Sequence, residues 1–222
     1  YRINMKKYAV ILAAGEGKRT GLIFPKQFYK INNKPIICYT IEKFLEVKNI
    51  EIILVVSNNK NWQKIINNYR NYTNLSIVKG GKNRFDSVKN ALKSLKNKGI
   101  VAIHDGVRPL ISKKLIENLF KSALKKNNAI PCIHLKDSIR KITDNNNKSL
   151  NRKNYVLIQT PQVFDYSDIK KAYDQKFDKK FTDDANVFET LNKKINLIKG
   201  EEKNFKITTK NDLKLAEKYL GN

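Results

Sequence analysis

Short, mostly apolar runs alternate along this chain with stretches whose apolar residues recur at helical spacing. The first run, Lys7–Ala14 (KYAVILAA), has no polar residue between Tyr8 and Ala14 and stops at Gly15. A strand that is apolar at every position must be covered on both faces, as a parallel strand inside a sheet clad by helices is. Ile50–Val56, Leu75–Val78, Ile100–His104 and Ala129–Ile133 are further strand-like runs, mostly apolar, with Glu51, Ser76 and His104 as their polar residues. Between them, Pro35–Val47, Asn61–Arg70, Asp86–Leu95 and Lys113–Lys126 read as helices, with Pro35 in a first turn and Ser112 as an N-cap. The alternation predicts an α/β fold, Rossmann-like and doubly wound around a mostly parallel sheet. A chain of 222 residues fits one such domain, residues 1–222. Ligands of such sheets sit at the carboxyl ends of the strands, where the loops after Ala14, Val78 and His104 fall.

One segment breaks the rhythm. In Leu135–Val156, two strand-like pieces, Ser138–Ile142 and Tyr155–Ile158, flank a polar tip, Asp144–Ser149. The pattern is that of a disordered insertion or of a protruding two-stranded arm. A lone two-stranded ribbon is marginal in water, so an arm calls for a partner to pack on. The tail then reads as helices at Ser167–Gln175, Asp183–Leu191 and Asn211–Leu220, with a strand at Ile195–Ile198.

Composition narrows the function classes. Lys and Arg number 45 against 20 Asp and Glu, a formal charge of +25. That balance raises the question of nucleic acid. The excess is mostly lysine, however, and it is dispersed along the chain rather than clustered, which speaks for a surface-wide compositional bias. No apolar run approaches a membrane span, and Tyr1–Lys7 lacks the apolar core of a signal peptide. A native start at Met5, the only methionine, is compatible with this. Cys38 and Cys132 lie within apolar runs and read as buried thiols, and two Cys with two distant His do not make a structural zinc site. A reducing compartment, the cytoplasm, is expected.

Three loops carry the chemistry. Gly15-Glu-Gly17-Lys-Arg19-Thr-Gly21, followed by Pro25-Lys26-Gln27, is neither a Walker A loop nor a dinucleotide fingerprint. Small residues there still let backbone N–H groups approach phosphate oxygens, with Arg19 and Lys26 placed to neutralise charge, though a plain tight turn has the same composition. Gly80-Gly81-Lys82-Asn83-Arg84-Phe85-Asp86-Ser87 offers close approach to a flat ring, and Ser87 could bond a base or open the following helix. His104-Asp105-Gly106-Val107-Arg108-Pro109 puts a carboxylate at a strand end, suited to Mg²⁺ on phosphates or to a plain ion pair with Arg108.

These blocks, with DSIRKI, QTPQVF, FTDDANVFE and NFKITTKNDLKLAE, stand in order from about Ala9 to Leu220. Together they resemble the 2-C-methyl-D-erythritol 4-phosphate cytidylyltransferase family. The resemblance implies transfer of CMP from CTP to methylerythritol phosphate with release of pyrophosphate, in non-mevalonate isoprenoid precursor synthesis. It also implies Mg²⁺ and a homodimer formed by exchange of β-arms. By position, Arg19 and Lys26 would stabilise the transition state, while Arg152 and Lys206 would hold the phosphate nucleophile. Ala13, Ala14, Gly15, Gly17, Gly81, Lys82 and Ser87 would form the nucleotide site. Asp105 would serve nucleotide, metal and substrate, and Arg108, Ser138 and Thr182 the substrate. Thr20, Lys82, Ser138 and Gly106-Val107 depart from the usual residues, the last two from small or hydroxylated ones. The related ribitol-5-phosphate cytidylyltransferases share several blocks, but the TDDA and DSVKNAL segments favour the erythritol enzyme. A basic nucleic-acid-binding domain is the alternative outside enzymes.

Overall fold

The structure, a computed structural model, describes residues 5–15 and 23–221. Strand β1 (Lys6–Leu12) is central. It pairs in parallel with β4 (Ile50–Val56) on one side and with β6 (Gly99–Asp105) on the other. Beyond β4 lies β5 (Leu75–Lys79), also parallel. Residues of β1 alternate between two cores: Ala9 and Ile11 face one, Tyr8 and Val10 the other. That is why the run has no polar face.

The first core is closed by α1 (Ile36–Leu45), α2 (Asn61–Asn67) and α4 (Lys113–Lys126), the second by α3 (Arg84–Ser94), α5 (Tyr166–Tyr173) and α6 (Asp184–Glu189). A third, smaller cluster packs α7 (Lys210–Leu220) on the hairpin of β2 (Lys30–Ile31) and β3 (Lys34–Pro35), around Ile31, Ile36 and Leu213. The helix starts are written locally. Ser112 Oγ accepts from Leu115 N (3.0 Å), Asn83 Oδ1 from Asp86 N (2.8 Å), and Thr209 with Asp212 forms a capping box.

Two expectations need correction. The strand-like piece at Tyr155 is not the arm's second strand. The arm is β8 (Ile139–Thr143) paired with β9 (Asn146–Leu150), so the pairing runs through the segment read as a polar tip. Val156–Ile158 instead forms β10, antiparallel to β7 (Asn128–His134) in the main sheet. The second correction is a strand that hydrophobic patterning misses. β11 (Gln162–Asp165) inserts antiparallel between β6 and β7. β12 (Leu197–Lys199) then pairs in parallel with β7. The sheet is thus parallel at its centre and mixed at the β7 end.

Candidate active site

The carboxyl ends of β1, β4, β5 and β6 open into one cleft of about 1160 Å³. Its walls bring together Ala13, Ala14, Gly15, Lys26, Gly81, Lys82, Ser87, Asp105 and Lys206 from the residues expected on sequence grounds. Gly17 and Arg19 lie outside the described residues. Ser138, Arg152 and Thr182 do not line the cleft: all three are exposed, the first two on or beside the arm. Arg152 donates to the Lys136 carbonyl at the arm's base. Arg108 stands behind Asp105 rather than in the wall, its Nη1 donating to the Asn204 carbonyl (2.8 Å).

The two glycine-bearing loops shape each other. A Cβ on Gly80 would lie 2.5 Å from Ala14 Cβ, so only glycine lets the second loop close on the first. Ser87 Oγ accepts from Gly81 N (3.0 Å) and donates to Asn83 O (2.8 Å). Of the two readings of Ser87, the structure favours the one that builds the loop at the helix start. Gln27, unnoticed in the sequence, donates to the carbonyls of Ala13 (2.8 Å) and Gly15 (2.9 Å) and so fixes the end of β1 where it leaves the sheet. Beside it Lys26 is buried, with Nζ donating to Ile207 O at 2.5 Å.

Asp105, at the tip of β6, is ringed by cations. Lys206 Nζ lies 2.8 Å from Oδ2, Arg108 Nε 3.7 Å from the same oxygen, and Arg84 Nε 3.6 Å from Oδ1. Burial alone would push its carboxyl up. The charges of Arg84, Lys206 and Arg108 override that and hold it well below the usual carboxylate range. Asp105 is therefore held as an anion at neutral pH, and with Asp184 on Arg84 the group comprises three cations and two carboxylates. The excess of fixed positive charge faces a partly enclosed cleft, where such charge is most effective toward phosphates.

Arg84 and Asp184 carry functions that single-residue reading missed. Asp184, fully buried at the start of α6, takes Arg84 Nη1 and Nη2 at 2.8 and 2.6 Å and Tyr173 OH at 2.6 Å. Its neighbour Asp183 caps α6 through Asn186 N (2.8 Å) and accepts from Gln162 Nε2 (2.9 Å). The FTDDA block is thus a clamp that holds Arg84 with its Nε toward Asp105. Desolvation opposes charging of Arg84, but Asp184 and then Asp105 more than restore it, and the guanidinium stays cationic. The signal available in the sequence was an Arg beside the paired glycines and a doubled Asp; their separation of 100 positions hid the pairing.

His104 precedes Asp105 and is fully buried. Burial pulls its imidazole down to about 3, so the ring is neutral. Among the described residues no group of three His, Cys, Asp or Glu could cage a metal, and Asp105 is the only carboxylate among the residues lining the cleft.

A Rossmann-like sheet whose glycine-rich loops and cation ring converge at the ends of its parallel strands defines a nucleotidyltransferase, a class whose chemistry is the handling of nucleoside triphosphates. Comparison with known proteins makes this specific. A family model for 2-C-methyl-D-erythritol 4-phosphate cytidylyltransferase (IspD) matches residues 7–222. The chain belongs to that family. It is 43% identical over 221 residues to the enzyme of that name from Azobacteroides pseudotrichonymphae, covering 97% of this chain and 99% of that one. It is 38% identical over 216 residues to its namesake from Phocaeicola vulgatus, covering 96% and 99%. Among solved structures, 4-diphosphocytidyl-2C-methyl-D-erythritol synthase from Anaerococcus prevotii superposes with a TM-score of 0.84 at 32% identity, over 98% of this chain and 97% of the other.

Proposed function

We propose that this chain transfers the cytidylyl group of CTP to the phosphate of 2-C-methyl-D-erythritol 4-phosphate, with Mg²⁺, releasing pyrophosphate. The observation that carries the reading is the cation ring around Asp105 at the mouth of β6, facing the glycine loops across one cleft. A phosphate oxygen of the polyol attacks the α-phosphorus, forming one O–P bond. The bond to the β-phosphate oxygen breaks, and pyrophosphate leaves with its electron pair. No general base is required, because a phosphate monoester with a second pKa near 6 is already a nucleophile at neutral pH. The barrier lies in bringing two polyanions together and in the charge of the five-coordinate transition state, so catalysis is positioning plus electrostatics.

Roles follow from place. Ala13–Gly15 and Gly81 border the nucleotide; the N–H of Ala13 is taken by Val55 O and that of Gly81 by Ser87 Oγ, so these two shape the wall of the site. Lys26, with Arg19 of the same loop, serves the α-phosphate and the leaving pyrophosphate. Lys206, Arg108 and Arg84 present positive charge to the incoming phosphate. A lone carboxylate suits a Mg²⁺ that arrives on the triphosphate, which brings most of its own oxygen ligands. Asp105 would hold that ion together with CTP, and the ion would neutralise charge on the phosphates.

Ser138 and Arg152 are exposed beside an arm, β8–β9, whose strands bury almost nothing in one chain. A homodimer in which the arm crosses to the neighbouring subunit gives these residues a site and the ribbon a partner. Cys38 and Cys132 are unpaired, and among the described residues no helix is long and apolar enough to cross a membrane, which supports action in the reducing cytoplasm.

The test is pyrophosphate release from CTP with methylerythritol phosphate and with ribitol 5-phosphate. Turnover should require the first. Equal or faster turnover with the second would assign the chain to ribitol activation.

A further inference from the structure

His104 does not line the cleft, but it is placed to hold the turn that carries Asp105 into the cleft and Arg108 behind it. Its ring is fully buried, 5.1 Å from that of Phe44. Nδ1 lies 3.2 Å from Thr160 Oγ1, and Nε2 lies 3.2 Å from the carbonyl oxygen of Arg108. Thr160 Oγ1 in turn accepts from the backbone N–H of Asp105 (3.1 Å). A closed circuit results: Asp105 N–H to Thr160 hydroxyl to imidazole to Arg108 carbonyl.

Donor and acceptor accounting fixes the direction of every bond. The Arg108 carbonyl can only accept, so Nε2 carries a hydrogen. Thr160 has one hydroxyl proton, and its oxygen already takes the Asp105 N–H. The proton therefore goes to Nδ1, which must be the bare nitrogen. Reversing the Thr160 bond would leave a hydroxyl proton without a partner among buried groups. The circuit spans the turn from Asp105 to Arg108, whose ends also meet through Arg108 N and Asp105 O (3.1 Å). It extends to Lys206 of the cation ring as well. Asn204 Nδ2 donates to Thr160 O (2.9 Å), the Asn204 carbonyl accepts from Arg108, and two residues on lies Lys206.

We infer that His104 and Thr160 are positioning residues: through the Nε2–H tautomer they lock the Asp105–Arg108 turn in the geometry that presents Asp105 and Lys206 to the cleft, with Arg108 backing Asp105. The inference rests on the function proposed above, but not all of its test does. Position errors of about 1 Å at a reacting group cost about 10²-fold. Thr160→Val keeps the shape and removes the hydroxyl, so kcat for cytidylyl transfer should fall at least 10-fold. KM for CTP, set mainly by the glycine loops, should change less than threefold. Thr160→Ser restores the hydroxyl and should return kcat to within about threefold of wild type.

The second readout needs no activity. The chain has only two histidines, so ¹⁵N spectra of His134→Gln protein report His104 alone. They should show Nε2 protonated and Nδ1 bare; Thr160→Val should keep the Nε2 hydrogen, which the Arg108 carbonyl holds, and shift the Nδ1 resonance as its hydroxyl donor is lost. An inactive wild type with the Nε2–H tautomer present would overturn the proposed function and leave the circuit standing. An active wild type whose kcat is unmoved by Thr160→Val, or a protonated Nδ1 in the spectrum, would overturn the inference itself. So would Thr160→Ser that stays as slow as Thr160→Val, because a merely structural defect is not rescued by a hydroxyl.

Discussion

Replacing Asp184 by Asn tests whether the site is held from behind. Asp184 is fully buried and receives two charge-assisted bonds from Arg84, at 2.8 and 2.6 Å, and one from Tyr173 at 2.6 Å. The substitution removes the anion but leaves the guanidinium, and Arg84 then has only Asp105 nearby, 3.6 Å from its Nε. Breaking a buried pair by deleting one partner costs about 3–5 kcal/mol. With a urea m-value of about 2–3 kcal/mol/M, the midpoint should drop by roughly 1–2.5 M at unchanged m. The double variant Arg84→Met, Asp184→Leu removes both charges and should be more stable than Asp184→Asn alone, because no charge is left buried without a partner. It should still be a poor catalyst, since Arg84 is gone from the cleft. Equilibrium urea melts with pyrophosphate-release rates on wild type, Asp184→Asn, the two single variants Arg84→Met and Asp184→Leu, and the double variant settle the matter. A loss under about 1 kcal/mol in Asp184→Asn, or a double variant as unstable as the summed singles, would refute the clamp.

Lys26→Ala, like Arg19→Ala, should lower kcat by about 10²-fold with little change in KM for CTP, the pattern of a charge used mainly in the transition state; a raised KM at intact kcat would contradict it in steady-state assays. Arg19→Ala and Arg152→Ala should each be nearly inactive as homodimers, yet a co-expressed mixed dimer should regain about half the wild-type activity, because one of its two sites is intact; a mixed dimer as dead as its parents would show both residues serving from one chain. Stability should fall with pH on the acid side. His104 binds its proton at about 3 when folded and near 6.5 when unfolded, so between these values the unfolded chain holds the extra proton and about 1.4 kcal/mol is lost per pH unit. Asp105, depressed by folding, keeps its contribution above the unfolded carboxylate range near 4 and loses it only below. Urea melts from pH 7 to 5 should show a steeper loss for wild type than for His104→Phe; parallel losses would mean the ring is not buried neutral.

The parts of the fold that residues dictate locally were legible in sequence. β1, β4 and β6 declare themselves because strands covered on both faces are apolar almost throughout, their polar residues confined to Glu51 and the strand ends, and Ser112 caps α4 through its own Oγ. β9 was not legible, since Asn146–Leu150 is exposed on both faces and has no alternation to show. β11 was hidden for the opposite reason: its four residues, Gln162–Asp165, owe their place to β6 and β7 rather than to their own pattern. Of the candidate site residues, the glycine-rich stretch from Gly15 and Asp105 stood out in the sequence because glycines and a strand-end carboxylate are unusual where they occur. Gln27, Thr160 and Asp184 act through partners far away in the chain or through backbone atoms, so no spacing marks them. Thr160 meets His104 across 56 positions.

The central claim, attack of the polyol phosphate on the α-phosphorus of CTP in a cleft that stabilises charge, is tested most directly by tracing oxygen. Methylerythritol phosphate labelled with ¹⁸O on its phosphate is turned over with unlabelled CTP, and the products are read by ³¹P NMR. All label should appear in the diphosphate of the cytidine product, one labelled oxygen bridging its two phosphorus atoms, and the pyrophosphate should carry none. Label in the pyrophosphate, or a bridging oxygen without label, would contradict the account.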